Sequence, residues 1–269
     1  MPSLERHRTC GVTLLCDPAA AGGVTFGFSE RSGGVSEGPY ESLNLGSRCG
    51  DDPARVAENR RRALAALGAG DVAGRLVCPH QVHGTHVVAV RSDEPDELDR
   101  ARAEAAAGAD VVVCTAARVP VLLSFADCVP VVLVAPGGFA IAHSGWRGTL
   151  ARVAAVAARA LAGATGADPG ELCAYVGPHV GPADYEVSPE LAARFADEFG
   201  PGALVGERNL DLGWCVRAAL AGAGVAASQV ATCEDSTASC PDRFFSYRAS
   251  GGSCGRHGAL AVLADGAHR

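Results

Sequence analysis

The sequence contains no lysine: all 23 basic side chains are arginines, and they face 30 aspartates and glutamates, for a net charge of −7. An acidic balance does not suit a surface that grips a polyphosphate backbone, so nucleic acid is not an expected partner. No stretch approaches the roughly 18 consecutive apolar residues of a membrane span. The charged opening MPSLERHRTC is not followed by an apolar run either. Neither membrane insertion nor secretion is indicated, and the expected compartment is the cytoplasm. No C-x-x-C occurs among the 11 cysteines, whose number is odd and whose spacing is irregular. That removes zinc ribbons and thioredoxin-like motifs. Cys114, Cys128 and Cys173 lie in or beside apolar runs and read as reduced thiols. The 8 histidines include no H-x-H pair, too few closely paired imidazoles for a multicopper site. Walker-type and G-x-G-x-x-G loops are missing, so nucleoside triphosphates and dinucleotides are not expected ligands. Gly251-Gly252-Ser253-Cys254-Gly255 fits G-x-S-x-G but has no strand-to-helix context. Its downstream acid and base would be Asp265 and His268 near the end of the sequence, so a serine hydrolase is discounted.

What remains is a chain of 269 residues, 48% hydrophobic, long enough for a full-sized core. With no repeat, low-complexity segment or linker, the economical reading is one mixed α/β domain over 1–269. GVTLLCD and GGVTFGFSE read as strands, and the turn-rich RSGGVSEGPYESLNLG as an ordered loop. Asp52-Pro53 opens a helix with Val56, Ala63, Leu64 and Leu67 on one face. LVCPHQVHGTHVVAV reads as strand, three-histidine loop and strand. DELDRARAEAAAG shows no clear apolar face and reads as surface. ADVVVCT, VPVLLSFADC, VPVVLVAP and FAIAHSG are short apolar runs, as expected of core-sheet strands buried on both faces. GWRGTLARVAAVAARALAG reads as one helix that starts just after His143, and SPELAARFADEFG and LDLGWCVRAALAGAG as two more. ELCAYVG, SQVATC, FFSYR and GALAVLA read as further strands.

Three residues able to bind zinc stand at the edges of apolar strands among small residues: His83 in HQVHG, Cys128 in ADC and His143 in AHSGWRG. Two imidazoles and a thiolate suit zinc, and three protein ligands leave a fourth position free for water or substrate. The same residue types also suit a core thiol and a hydrogen-bonded strand-end histidine. Spacing alone does not choose between these readings, nor between His83 and its neighbours His80 and His86.

The order of seven blocks does choose. FSERSGGVSEGPYESLNLG, ENRRRAL, QVHGTHV, ADC followed by VPV, AIAHSGWRGTL, YVGPHVGPADYEV and CEDST…FFSYR…GRHGALAVL resemble the YfiH/LACC1-like family, once labelled multicopper polyphenol oxidases. The resemblance covers nearly the whole chain. It implies a four-layer α/β/β/α sandwich with mixed sheets, similar to that of a bacterial toxin deamidase. It implies a purine nucleoside phosphorylase acting on adenosine, inosine and guanosine with phosphate, with adenosine deaminase and S-methyl-5′-thioadenosine phosphorylase activity in the same site. The family's zinc ligands fall on His83, Cys128 and His143. Phe125 stands where the family usually has threonine, and Ala183-Asp184 where cysteines are common.

Phosphate needs fixed positive charge and N–H donors, and Arg31, Asn44 and Arg147 are the expected polar substrate contacts, with His80 beside them as a proton-transfer group or a support behind the ligands. The alternative for Arg31 is an arginine holding its own loop, and for Arg147 a structural salt bridge. Tyr185 and Glu186 face either the pocket or the core. Nucleosides and inorganic phosphate are the expected partners, and a monomer the expected state. Two rival functions stand beside this one: a cysteine-dependent amide hydrolase or peptidoglycan-editing factor that uses the same residues with Cys128 as nucleophile, and a non-catalytic envelope or division accessory protein, which would be indifferent to His83.

Overall fold

The computed structural model describes residues 1–20 and 22–266; His268 lies outside them. Two sheets face each other. The first has the order β1-β2-β3-β13-β6, built from Glu5–Thr9, Val12–Cys16, Val24–Ser29, His257–Leu263 and Val121–Phe125. It is antiparallel throughout. The second has the order β12-β9-β7-β8-β5-β4, built from Val230–Thr232, Cys173–Val176, Val129–Ala135, Gly138–Ser144, Val111–Cys114 and Val87–Val90. Its outer pairs β12/β9 and β4/β5 are parallel and its inner pairs antiparallel, so the expected mixing is confined to this sheet. A ribbon of β10 (Leu204–Val205) and β11 (Asn209–Leu210) stands apart.

Side chains alternate across a strand, and that period distributes three cores. Val112, Val132, Val134, Phe139 and Ile141 meet Phe26, Val121, Leu123, Phe125 and Ala259 between the sheets. Val111, Val113, Val131, Leu133, Ala140 and Ala142 point outward onto helices α4 (Val153–Thr165) and α6 (Leu212–Gly222). Leu14, Leu122 and Leu260 point outward from the first sheet onto Ala63 and Leu64 of α1 (Pro53–Ala66). The layers run α/β/β/α. Double-sided burial explains the unbroken apolar runs of β5, β7 and β8.

Several expectations change. VLLSF is not a neighbour of the strands beside it: β6 lies in the antiparallel sheet, and the chain crosses to the other sheet between Phe125 and Val129. DELDRARAEAAAG is helix α2 (Pro95–Ala107), which buries Leu98, Ala101 and Ala105. Alanine carries too little hydrophobicity to mark that face in the sequence. The helix read after His143 is two: α3 (Trp146–Leu150) and α4, separated at Arg152, whose φ of 54° is left-handed. FFSYR forms turns, not a strand, and LVC contributes a single bridge, Val77 to Val121. Strand β1 was missed because all five of its residues are exposed. Helix α5 (Pro189–Phe199) is capped by the Ser188 side chain, which accepts from Leu191 N. All 11 cysteines are free. No helix among the described residues is long and apolar enough to cross a membrane.

Candidate metal centre

The crossing between the sheets carries Cys128. Phe125 ends β6, Asp127 turns the chain at a φ of 82°, and Val129 opens β7. This left-handed backbone is unfavourable for a residue other than glycine, and three bonds hold it. Asp127 Oδ1 accepts from Thr237 Oγ1 at 2.7 Å, its Oδ2 accepts from the Arg248 backbone N–H at 2.7 Å, and its carbonyl accepts from Val180 N at 3.0 Å.

His83 stands on a loop pinned to both sheets. Gln81 extends its amide along β6, donating from Nε2 to Ser124 O at 2.8 Å and accepting from Ser124 N at 2.9 Å. The next three residues close on the fully buried Asp110, at the head of β5. Its carboxylate accepts from the backbone N–H groups of Val82 at 3.2 Å, His83 at 2.9 Å and Gly84 at 2.6 Å. That nest offsets a φ of 61° at His83.

Asp110 also fixes the third residue. His143, near the end of β8, donates from its backbone N–H to Asp110 O at 2.8 Å, and its Nδ1 lies 2.7 Å from Asp110 Oδ1. With Nδ1 so engaged, Nε2 is left for the cluster, the usual orientation of a ligating histidine backed by a carboxylate. Burial opposes ionisation of Asp110, but the bonds from His143 and the Gly84 and Val82 N–H groups hold its carboxyl below the ordinary range.

The result is a group in which one ligand atom from each of His83, Cys128 and His143 lies within 4.8 Å of the others, with Cys128 Sγ 3.9 Å from His83 Nε2. Four-coordinate zinc, with bonds of about 2.0–2.3 Å, sets its ligand atoms roughly 3.3–3.7 Å apart. A contraction of at most roughly 1.1–1.5 Å in any pair would therefore close the set around one ion. The donors are one soft sulfur and two imidazole nitrogens, and the fit is good. Burial would raise the Cys128 thiol, but the charge of His143 and hydrogen bonds from His143 and His83 win, bringing it to about 6. His143 rises to about 9: burial opposes, and the Cys128 charge and Asp110 overcome it. The ring of His83 is exposed, Cys128 is half-buried and His143 is buried, so access comes from the His83 side. Gly145 is required by close approach: a Cβ there would stand 2.7 Å from His83 Cδ2 and 3.0 Å from Cys128 Sγ. Tyr185 is half-buried nearby, raised to about 12 by burial first and the Cys128 charge next, so it keeps its proton and is a hydrogen-bond donor.

The other expected residues lie differently. Arg31 holds its own loop, donating to the carbonyls of Glu41 at 2.8 Å and Pro241 at 2.7 Å with its guanidinium 4.5 Å over Phe245. Asn44 is fully buried; it donates to Asp51 at 2.8 Å and accepts from Arg256 N at 2.8 Å. Arg147 has no salt bridge among the described residues; it stacks 4.9 Å over Trp146 beside a cleft that also meets Arg194 and includes none of the three ligands. The His80 backbone ties the loop to Ala105 and Ala109. His86 pairs with Glu104 at 3.0 Å. The structural residues missed by sequence reasoning are Asp110 and Asp127. An acid heading a fully apolar strand was the one available signal for Asp110.

A family model described as multi-copper polyphenol oxidoreductase laccase matches residues 25–264. A protein of Deinococcus radiodurans named purine nucleoside phosphorylase is 38% identical over 260 residues, 94% of each chain. Purine nucleoside phosphorylase YfiH of Escherichia coli is 36% identical over 84% of this chain and 88% of its own. The crystal structure of YlmD from Geobacillus stearothermophilus superposes with a TM-score of 0.83 at 30% identity, covering 98% of this chain and 100% of that one.

Proposed function

Because this chain belongs to the YfiH family, the one described as multi-copper polyphenol oxidoreductase laccase, we propose that it is a zinc-dependent purine nucleoside phosphorylase. It would convert adenosine, inosine or guanosine and inorganic phosphate into free base and ribose 1-phosphate. The name shared by relatives that align over almost their full length supports the reaction. The observation that carries the metal is the single mononuclear His83, Cys128 and His143 donor set, the one such group among the described residues. Two imidazoles and a thiolate suit one zinc ion better than the several coppers of a laccase. The chain is taken to work as one domain over 1–269, in the cytoplasm. The same site would also accept S-methyl-5′-thioadenosine and deaminate adenosine.

His83, Cys128 and His143 would hold the ion. When bound, zinc supplies a Lewis acid at its open position that orients an anionic oxygen or polarises water. The chain's own groups do the rest. Asp110 keeps the imidazole of His143 and the His83 loop in register, Gly145 leaves room for the ligands, and Tyr185 offers a proton-bearing phenol beside them. In phosphorolysis a phosphate oxygen bonds to C1′ of the ribose while the glycosidic C–N bond breaks. The electron pair leaves on the purine, which takes up a proton. A second reading, Cys128 as nucleophile toward an amide, is favoured by its 3.9 Å separation from His83 and its lowered thiol pKa. Metal content separates the two.

The test is chromatographic detection of free base from adenosine and inosine, with and without phosphate, on wild type and Cys128→Ala. Phosphate-dependent release that the variant loses supports the phosphorylase. No release from folded, zinc-loaded wild type overturns it.

A further inference from the structure

This inference rests on the phosphorylase reading and concerns the second substrate. Two carboxylates stand beside the cluster: Asp110, against His143, and Asp127, next to Cys128 in the chain. Phosphate, a mixture of monoanion and dianion at neutral pH, needs a cation there besides the ion.

Accounting for guanidinium donors narrows the choice. Arg31 gives its donors to the carbonyls of Glu41 and Pro241. Arg243 is held between Glu30 at 2.8 Å and Asp235 at 2.6 Å. Arg256 donates to the carbonyls of Cys254 at 2.7 Å and Gly255 at 2.8 Å. Arg147 stacks on Trp146 beside a cleft that none of the three ligands lines.

Arg248 differs on three counts. Its backbone N–H is fastened at 2.7 Å to the carboxylate of Asp127, the residue next to Cys128. Its guanidinium lies 4.7 Å over the ring of Tyr185, the phenol that feels the charges of both Cys128 and Arg248. No acceptor among the described residues engages its side chain, which is exposed. Stacking uses the face of a guanidinium and leaves its in-plane N–H edge free, the edge that meets phosphate in a bidentate fork. We propose that Arg248, set by Asp127 and braced on Tyr185, binds the phosphate co-substrate.

The experiment compares zinc-loaded wild type, Arg248→Met and Arg248→Lys for phosphate and inosine kinetics, with metal content and melting temperature in parallel. Expected for Arg248→Met is a KM for phosphate raised at least about tenfold, the loss of a charge-assisted contact. Its KM for inosine and its zinc content should stay near wild type, and Arg248→Lys should recover part of the phosphate KM. An unchanged phosphate KM in Arg248→Met overturns the assignment. If wild type releases no base, the phosphorylase reading fails on its own, and a separate readout decides Arg248. Inorganic phosphate should protect Arg248 from phenylglyoxal in wild type, measured by peptide mass spectrometry; labelling unaffected by phosphate overturns the site.

Discussion

Asp110→Asn is the substitution that most directly tests how the proposed metal ligands are held. Four donors converge on this buried carboxylate: the N–H groups of Val82, His83 and Gly84 and Nδ1 of His143, at 3.2, 2.9, 2.6 and 2.7 Å. An asparagine offers one acceptor oxygen, enough for two of them, and turns an NH2 toward the others. At about 1.5–3 kcal/mol for each charge-assisted bond, losing two costs roughly 3–6 kcal/mol before relaxation. We expect about 3 kcal/mol in the metal-free protein, read from urea unfolding in the presence of chelator. Loss of the outer partner of a ligating histidine weakens metal binding by about 10–100-fold, and zinc competition against a chromophoric chelator measures it. A zinc Kd within twofold of wild type would refute the argument that Asp110 organises the ligands. The pH dependence carries a sign. Because the folded carboxyl is held below its unfolded value of about 3.9, its contribution is complete above that pH and is lost as pH falls through the folded value. The stability gap between wild type and Asp110→Asn in the metal-free protein should therefore shrink below about pH 4.

Gly145→Ala should push the new methyl against His83 and Cys128 and lower zinc affinity by about tenfold or more, with little change in melting temperature because His83 is exposed. Asp127→Asn, which tolerates the left-handed φ of 82°, should destabilise less than Asp127→Ala, by a margin of about 1 kcal/mol in urea unfolding. His257 is fully buried with neither ring nitrogen hydrogen-bonded, and burial pushes it down to about 3. The unfolded chain therefore takes up the proton first, and stability falls as pH drops from about 6.5 toward 3. His257→Met should remove about 2 kcal/mol of the loss seen by denaturant titration between pH 7 and 5; an unchanged pH profile would show that His257 is not buried neutral.

Legibility in the sequence followed the strength of the physical signal. Strands β5 and β7 are dense in valine, and β8 carries Phe139, Ala140, Ile141 and Ala142, because both faces are buried, and they read without ambiguity. Which sheet a strand joins is set by long-range pairing, so the apolar run of β6 looked like a neighbour of β7 when its partner is β13, more than a hundred residues away. The edge strand β1 buries nothing and left no pattern. The break at Arg152 depends on a single left-handed residue that no neighbouring glycine or proline announces. At the centre, His83, Cys128 and His143 were legible as residue types beside small residues, and the family resemblance selected among the three histidines. Asp110 and Asp127 were hidden because their bonds run to backbone N–H groups and to side chains far away in sequence, His143 and Thr237, which no sequence motif displays. Arg31 and Asn44 show the opposite case: block membership marked them, yet their hydrogen bonds go to the protein's own loops.

The three ligands straddle the join of the sandwich. His143 belongs to one sheet, Cys128 lies on the strand-to-strand passage between the two, and the His83 loop is tied to Ser124 on one side and Asp110 on the other. An ion held there would work as a rivet through both layers. Slippage of one sheet past the other by even an ångström would spread the ligand atoms, so the affinity for metal becomes a gauge of how the whole sandwich is packed. Contacts remote from any candidate ligand in sequence, such as Phe26 against Tyr175 with ring centres 4.3 Å apart, would then count among the determinants of metal retention.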